Sequence, residues 1–242
     1  MKAVQARAGT AYGLGVGPGD PELITLKALR LLQGCPVLAF PAPETGPSLA
    51  RGIVAPHLEG CAPLEYAIRM PMEAARFPAA AVYDRAASDL GAHLTAGRDV
   101  AVLCQGDPFF YGSFMYLFAR LATRFTVEVV PGVSSLTACA AMLQWPLAAR
   151  DDVLSVIPAT LPEADLTARL EATDAAAIIK IGRHLPKLRR VLDALGLTES
   201  ARYIERATLP EQAIRPLAAL ADDAAPYFAT VLVHRRGGAV ET

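Results

Sequence analysis

The chain has 242 residues, long for one simple domain and comfortable for two small ones. Its 53% hydrophobic and 19% charged residues exclude a disordered protein, and the formal net charge of -1 argues against broad electrostatic binding to nucleic acid. No apolar run reaches membrane-spanning length, and "MKAVQARAGTAYGLGVG" lacks a continuous apolar stretch before a cleavage site. No signal peptide is expected, and the chain reads as cytoplasmic. Cys35, Cys61, Cys104 and Cys139 are scattered, and His57, His93, His184 and His234 are isolated, so buried free thiols and no metal site are expected.

In chain order, "TAYGLGVGPGD" reads as a strand entering a glycine-rich loop. "PELITLKALRLLQGC" places leucines near helical spacing, with Pro21 suited to a first turn. "PVLAFPAP" is a short buried strand stopped by prolines, and "PETGPSLARGIVAPHLEGCAPLEYAIRMPM" is a long connection holding a short helix. "AAAVYDRAASDLGAHLTAGR" is an amphipathic helix, "DVAVLCQ" a buried strand, and "GSFMYLFARLAT" a helix after an aromatic turn. "FTVEVVPGVSS" is a strand ending in a Pro-Gly turn, followed by the apolar helix "LTACAAMLQWPL". Beyond "RDDVLSVIPAT" come the helix "EADLTARLEAT", the strand "AAAIIKI", the helix "HLPKLRRVLDALGL" and the strands "ARYIERA" and "YFATVLVHRR". Strands alternate with helices throughout, which gives an α/β protein. The expected domains are 1–125 and 126–242, each α/β.

Ligands of open α/β sheets lie beyond the carboxyl ends of strands. Four loops take that position: Gly15-Val16-Gly17-Pro18-Gly19-Asp20, Gly106-Asp107-Pro108, Pro131-Gly132-Val133-Ser134-Ser135 and Ile181-Gly182. All four are expected on one sheet edge. The first is no dinucleotide fingerprint, because the third glycine's place, counted from Gly13 or Gly15, holds Pro18 or Asp20. Each loop alone is ordinary turn chemistry. Together they suggest backbone brought close to a ligand, with aromatic rings as a flat apolar wall.

These loops, in this order, resemble those of the tetrapyrrole methylase family of S-adenosylmethionine-dependent methyltransferases. The resemblance runs from about Tyr12 to Arg236 and rests on "VGPGDPELITLKALRLL", "GDPFFYGSFMYL", "VVPGVSSLTACAA" and "KIGRHLPKLRRV". It implies the two-domain class III methyltransferase fold, with the active site in the interdomain cleft, and a homodimer. It further implies that S-adenosyl-L-methionine, leaving as S-adenosyl-L-homocysteine, meets Pro18, Gly106, Asp107, Tyr111, Gly112, Ser134, Ser135, Ile181 and Ala207. The GDP turn is expected to contact it largely through backbone. Gln105 departs from the acidic residue expected before that turn, and Ala207 stands where relatives often have glycine.

The implied reaction transfers a methyl group to C20 of precorrin-2, giving precorrin-3A, in cobalamin biosynthesis. Alternatives are C20 methylation of cobalt-factor II, methylation of another corrin position and, in another class, a tetrapyrrole-binding protein without catalysis. Methylation of RNA or of a protein side chain is a more distant reading, and the near-neutral charge speaks against RNA. No catalytic base is assigned; Tyr111 and Glu205 are candidates beside their structural roles in ring packing and as a strand-end charge. The carboxylates of the tetrapyrrole call for basic side chains, which "KIGRHLPKLRR" supplies. Arg183 and Lys187, four apart, are expected to share a helix face and bind substrate, unless that face is only solvated. Phe109 and Phe110 are the matching apolar candidates, whereas Phe114, Tyr116 and Phe118 are expected mostly to pack the helix. The expected partners are thus a small tetrapyrrole and a second copy of the chain, with neither nucleic acid nor membrane.

Overall fold

The structure, a computed structural model, describes residues 7–70, 78–220 and 224–237. The reading of the N-terminus as lacking a signal peptide, and the last two residues of the long connection, fall partly or wholly outside them. The chain divides into two compact units between Ser134 and Ser135.

The first unit is built on five parallel strands in the order β3-β2-β4-β1-β5. They are β1 (Ala11–Gly15), β2 (Val37–Pro43), β3 (Leu64–Met70), β4 (Val100–Cys104) and β5 (Val127–Val130). Every residue of β4 is buried, as a parallel strand covered on both faces requires. Its side chains alternate between two cores. Ala101 and Leu103 join Leu14 and Leu38 under the helices α1 (Leu26–Gly34) and α2 (Leu49–Ile53). Val100, Val102 and Cys104 join Ala11 and Val37 under α3 (Pro78–Thr95) and α4 (Phe114–Leu121).

Three expectations change here. The helix expected from Pro21 is split: Pro21–Leu23 form one 3-10 turn capped by the Asp20 carboxylate, and α1 begins only after Thr25, whose hydroxyl accepts from the Ala28 amide. β3 lies inside the segment read as a connection. It is an edge strand, only Ile68 of it is buried, and so it carries little of the alternation by which strands are recognised. β5 pairs with β1, which puts the division after this strand rather than at residue 125. The prolines expected to stop β2 do not end it at Pro41, since the strand runs on to Pro43, but they limit its pairing on one side. Its register with β4 ends at Ala39, before Pro41, while that with β3 continues to Pro43.

The second unit carries β6 (Leu154–Pro158), β7 (Ala175–Ile179), β8 (Ala201–Glu205), β9 (Ala213–Arg215) and β10 (Ala229–His234), in the order β6-β7-β10-β8-β9. α5 (Ser135–Met142) covers one face, where Leu136 and Cys139 meet Ala177, Ile204 and Leu232. α6 (Glu163–Glu171) and α7 (Leu185–Ala194) cover the other with Leu166, Leu170, Leu188 and Leu192. Here helices and strands do not simply alternate: β10 is antiparallel to β7 and β8, and β9 is antiparallel to β8. Consequently β7 and β8 run the same way and end at the same edge of their sheet. β7 belongs to this sheet, so the Ile181-Gly182 loop does not share an edge with the other three loops.

Candidate active site

In the first unit β4, β1 and β5 are neighbours and parallel, so the loops leaving their carboxyl ends lie side by side. They touch through backbone. A Cβ on Gly132 would lie 2.2 Å from the Gly106 carbonyl oxygen and 2.7 Å from the Gly15 Cα. Glycine alone permits this approach. Polar bonds then fix the loops. The Gly106 amide donates to the Gly17 carbonyl at 2.8 Å, and the neighbouring Gln105 side-chain amide donates to the Pro18 carbonyl at 3.0 Å.

The Asp107 carboxylate ties the turn both to itself and to the third loop. One oxygen accepts from the Phe109 and Phe110 amides at 2.9 and 3.1 Å, and the other accepts from the Gly132 amide at 3.0 Å. Three N–H groups, which would otherwise need other acceptors, are satisfied by one side chain. Asp107 therefore shapes the loop cluster. The Cys104 thiol donates to the Asp107 carbonyl at 3.8 Å, and burial raises its pKa, so it is a packing group rather than a nucleophile.

The aromatic run divides as the sequence suggested. Phe114 is buried in the core and Phe118 packs against it, whereas Phe109, Phe110 and Tyr111 are exposed. The Phe109 ring meets Phe118 edge-on at 5.1 Å, and Phe110 meets Tyr111 edge-on at 5.2 Å. Tyr116 is exposed rather than packed inward, and its ring lies 5.3 Å from that of Tyr83. Tyr111 has a φ of 55°, a left-handed conformation rare for an aromatic residue. At Gly112 a side chain would meet the Asp107 and Pro108 carbonyls, each at 2.5 Å.

Ser134 is the last residue of the first unit; in the second, Ser135 opens α5, and Ile181 and Ala207 are buried just past the ends of β7 and β8. Reasoning from the sequence missed the strain around these two positions. Lys180, Arg206 and Thr208 all have positive φ, at 56°, 48° and 68°. Such conformations cost on the order of 1–3 kcal/mol each and gather where a binding surface is being shaped. Nothing in the residue types announces them, since lysine, arginine and threonine are not turn formers.

The basic segment is arranged differently from expectation. Gly182–His184 form a 3-10 turn, and α7 begins at Leu185, so Arg183 and Lys187 do not share an α-helical face. Pro186, in the first turn of α7, explains the break in regular helix. Lys187 donates to the Leu161 carbonyl, Arg189 to the Leu220 carbonyl, and Arg190 pairs with Glu163 at 2.8 Å. Arg183 is exposed and, among the described residues, makes no ion pair. Burial, then the charges of Lys187 and Arg183, hold the His184 imidazole below its ordinary pKa, which leaves the turn's positive charge to those two residues. Glu205 is engaged twice: it accepts from the Tyr203 hydroxyl at 2.7 Å and pairs with Arg215 at 2.6 Å.

Two α/β units, the first an all-parallel sheet with three interlocked glycine loops at one edge and the second a mixed sheet, define the architecture of the tetrapyrrole methyltransferases. A sequence profile of the Tetrapyrrole (Corrin/Porphyrin) Methylases matches residues 10–221, and the chain belongs to that family. The precorrin-2 C(20)-methyltransferase of a Sinorhizobium species is 46% identical over 233 residues, 93% of this chain and 95% of that protein. The cobalt-precorrin-2 C(20)-methyltransferase of Salmonella typhimurium is 35% identical over 231 residues, 94% of this chain and 97% of the other. Among solved structures, a cobalt precorrin-4 methyltransferase superposes with a TM-score of 0.70 at 22% identity, covering 93% of this chain and 94% of that one. The uroporphyrin-III C-methyltransferase of Thermus thermophilus, complexed with S-adenyl homocysteine, gives 0.65 at 23% identity, covering 93% and 97%. The family resemblance read from the motifs is thereby established, and the two structural likenesses confirm the fold.

Proposed function

We propose that this chain transfers the methyl group of S-adenosyl-L-methionine to C20 of precorrin-2, giving precorrin-3A in cobalamin biosynthesis. The observation that carries the reading is the 46% identity, spanning nearly both chains, to a protein named for that reaction. The glycine cradle supports the cofactor. Gly15 and Gly132 let the three loops close to backbone contact, and the exposed Phe109, Phe110 and Tyr111 offer an apolar wall beside them. Pro18, Gly106, Asp107, Tyr111 and Gly112 are the proposed cofactor contacts of the first unit. Ser134, Ser135, Ile181 and Ala207 keep the same assignment.

When bound, S-adenosyl-L-methionine supplies a methyl group on a sulfonium, whose departure leaves a neutral thioether. The acceptor carbon is enriched in electrons by the neighbouring pyrrolic nitrogens, so little covalent help is needed. The work of the protein is to hold carbon, methyl and sulfur in line and to exclude water. The C20 proton passes to solvent or to a substrate nitrogen, and neither Tyr111 nor Glu205 is assigned as base. Arg183 and Lys187 are proposed to meet the tetrapyrrole carboxylates, with Phe109 and Phe110 against its apolar surface. A homodimer in the cytoplasm belongs to the same reading.

The relative named for cobalt-precorrin-2 supports a second substrate, the cobalt-containing one. Anaerobic incubation with precorrin-2 and methyl-labelled S-adenosyl-L-methionine, followed by carbon NMR, separates these readings. A single label at C20 supports the first. A label at another carbon changes the enzyme, and transfer only to the cobalt-containing tetrapyrrole selects the second.

A further inference from the structure

The β1 and β4 loops are joined at two adjacent points. Gly106 donates its backbone N–H to the Gly17 carbonyl, and Gln105 donates its side-chain N–H to the Pro18 carbonyl. Two consecutive residues of one loop thus meet two consecutive carbonyls of the other, Gln105 and Pro18 standing 87 positions apart along the chain. The first point survives any substitution at residue 105, because it is backbone. The second depends on a donor at the tip of that side chain. Pro18 has no N–H of its own, so this residue can join the clamp only by accepting through its carbonyl.

We infer that Gln105 is a positioning residue for the cofactor: its neutral amide holds the Pro18 carbonyl and thereby fixes the distance between the two loops that form the cradle. The inference rests on the cofactor reading of these loops given above. Among side chains of this length the amide is suited to the task because it donates at every pH. A glutamate of the same shape is acceptor-only when ionised, and its carboxylate would face the Pro18 carbonyl oxygen with no proton between them. A methionine fills the space and donates nothing. Gln105 touches neither reacting atom, so its effect belongs to affinity and alignment rather than to chemistry.

The test is titration calorimetry of S-adenosyl-L-homocysteine against the full chain and its Gln105→Glu and Gln105→Met variants, at about pH 8 and about pH 4, above and below the ordinary glutamate value of about 4.3. Relative to the parent protein at the same pH, Gln105→Met is expected to bind roughly tenfold more weakly at both, the size of one lost hydrogen bond. Gln105→Glu is expected to be weakened at least as much at the higher pH and to recover most of the loss at the lower, where the protonated acid donates again. Thermal unfolding of each variant without ligand separates this from general loss of structure, since only a positioning role predicts pH-dependent rescue of one variant and not the other. Affinities within twofold of the parent for both variants, or equal weakening of both at both pH values, overturn the inference. Failure of the parent itself to bind overturns the cofactor reading and the inference with it.

Discussion

At Gly132 the missing side chain is a structural requirement. Its nearest neighbours are the backbone atoms of Gly106 and Gly15, which cannot rotate aside as a side chain would. Gly132→Ala is therefore expected to force the β1, β4 and β5 loops apart, costing about 1–3 kcal/mol of stability as an overpacked site does and weakening S-adenosyl-L-homocysteine binding. Gly52, inside α2, faces open space, and an added Cβ would meet nothing within 4 Å. Gly52→Ala is expected to stabilise by about 0.5–1 kcal/mol through helix propensity. Urea unfolding of both variants checks the contrast, and equal effects would contradict it. At the same scale, Arg183 is exposed and, among the described residues, makes no ion pair. Arg183→Ala is expected to raise KM for the tetrapyrrole roughly tenfold, the worth of one charge-assisted contact, while leaving cofactor affinity within twofold. Parallel losses in both would remove Arg183 from substrate binding.

Between elements, the aromatic turn is anchored by Phe114. A Cβ on Gly13 would meet three atoms of the Phe114 ring between 2.3 and 2.6 Å, so the first residue of α4 lies directly on the β1 backbone. Phe109 packs in turn on Phe114 and Phe118, which joins the exposed wall to the core through ring contacts. Phe114→Ala removes the central ring of that chain and is expected to cost about 3–5 kcal/mol. It should also loosen the turn, read as faster amide exchange at Phe109 and Phe110. A large loss of stability with unchanged exchange there would show that the turn is held by Asp107 alone. Which elements were legible in the sequence follows from burial. The fully buried β4 reads as an unbroken apolar run, and the amphipathic α3 and α7 read as helices. β3 and β9, edge strands with little burial, leave no such pattern, and their existence is decided by a neighbouring strand offering hydrogen bonds.

For the molecule as a whole, the second unit is closed by a polar clasp far along the chain from its partner. Asp152 accepts from the Ala149 amide at 2.8 Å and from the buried His234 ring at 3.1 Å, and also pairs with Arg236. The Arg236 amide donates to the His234 Nδ1 at 3.3 Å, which leaves the ring proton on Nε2, facing Asp152. The Ala149 amide, then His234 and Arg236, hold the Asp152 carboxyl below its ordinary pKa. The folded form therefore gives up this proton more readily than the unfolded chain. The clasp's contribution is fully present above the unfolded value of about 3.9 and is lost as pH falls through the lower folded value. Asp152→Asn is expected to melt at lower temperature than the parent at neutral pH, with the gap closing as the pH drops below that range. A gap unchanged down to acid pH would show that the carboxylate's charge is irrelevant.

The sequence by itself determined the α/β class, the family, most buried strands and helices, and the loops that carry the candidate site, because each of these is written in local pattern. Glycine and proline at strand ends, apolar periodicity and the GDP turn all act within a few residues of where they are read. It did not determine that Gly15, Gly106 and Gly132 touch, that Asp107 and Gln105 spend their side chains binding other loops, or that Lys180, Arg206 and Thr208 are strained at one edge of the second sheet. Those facts arise when β4, β1 and β5 pair side by side and β10 inserts between β7 and β8. Pairing between distant segments is set by the packing of whole sheets against their helices, and no short stretch of sequence contains it.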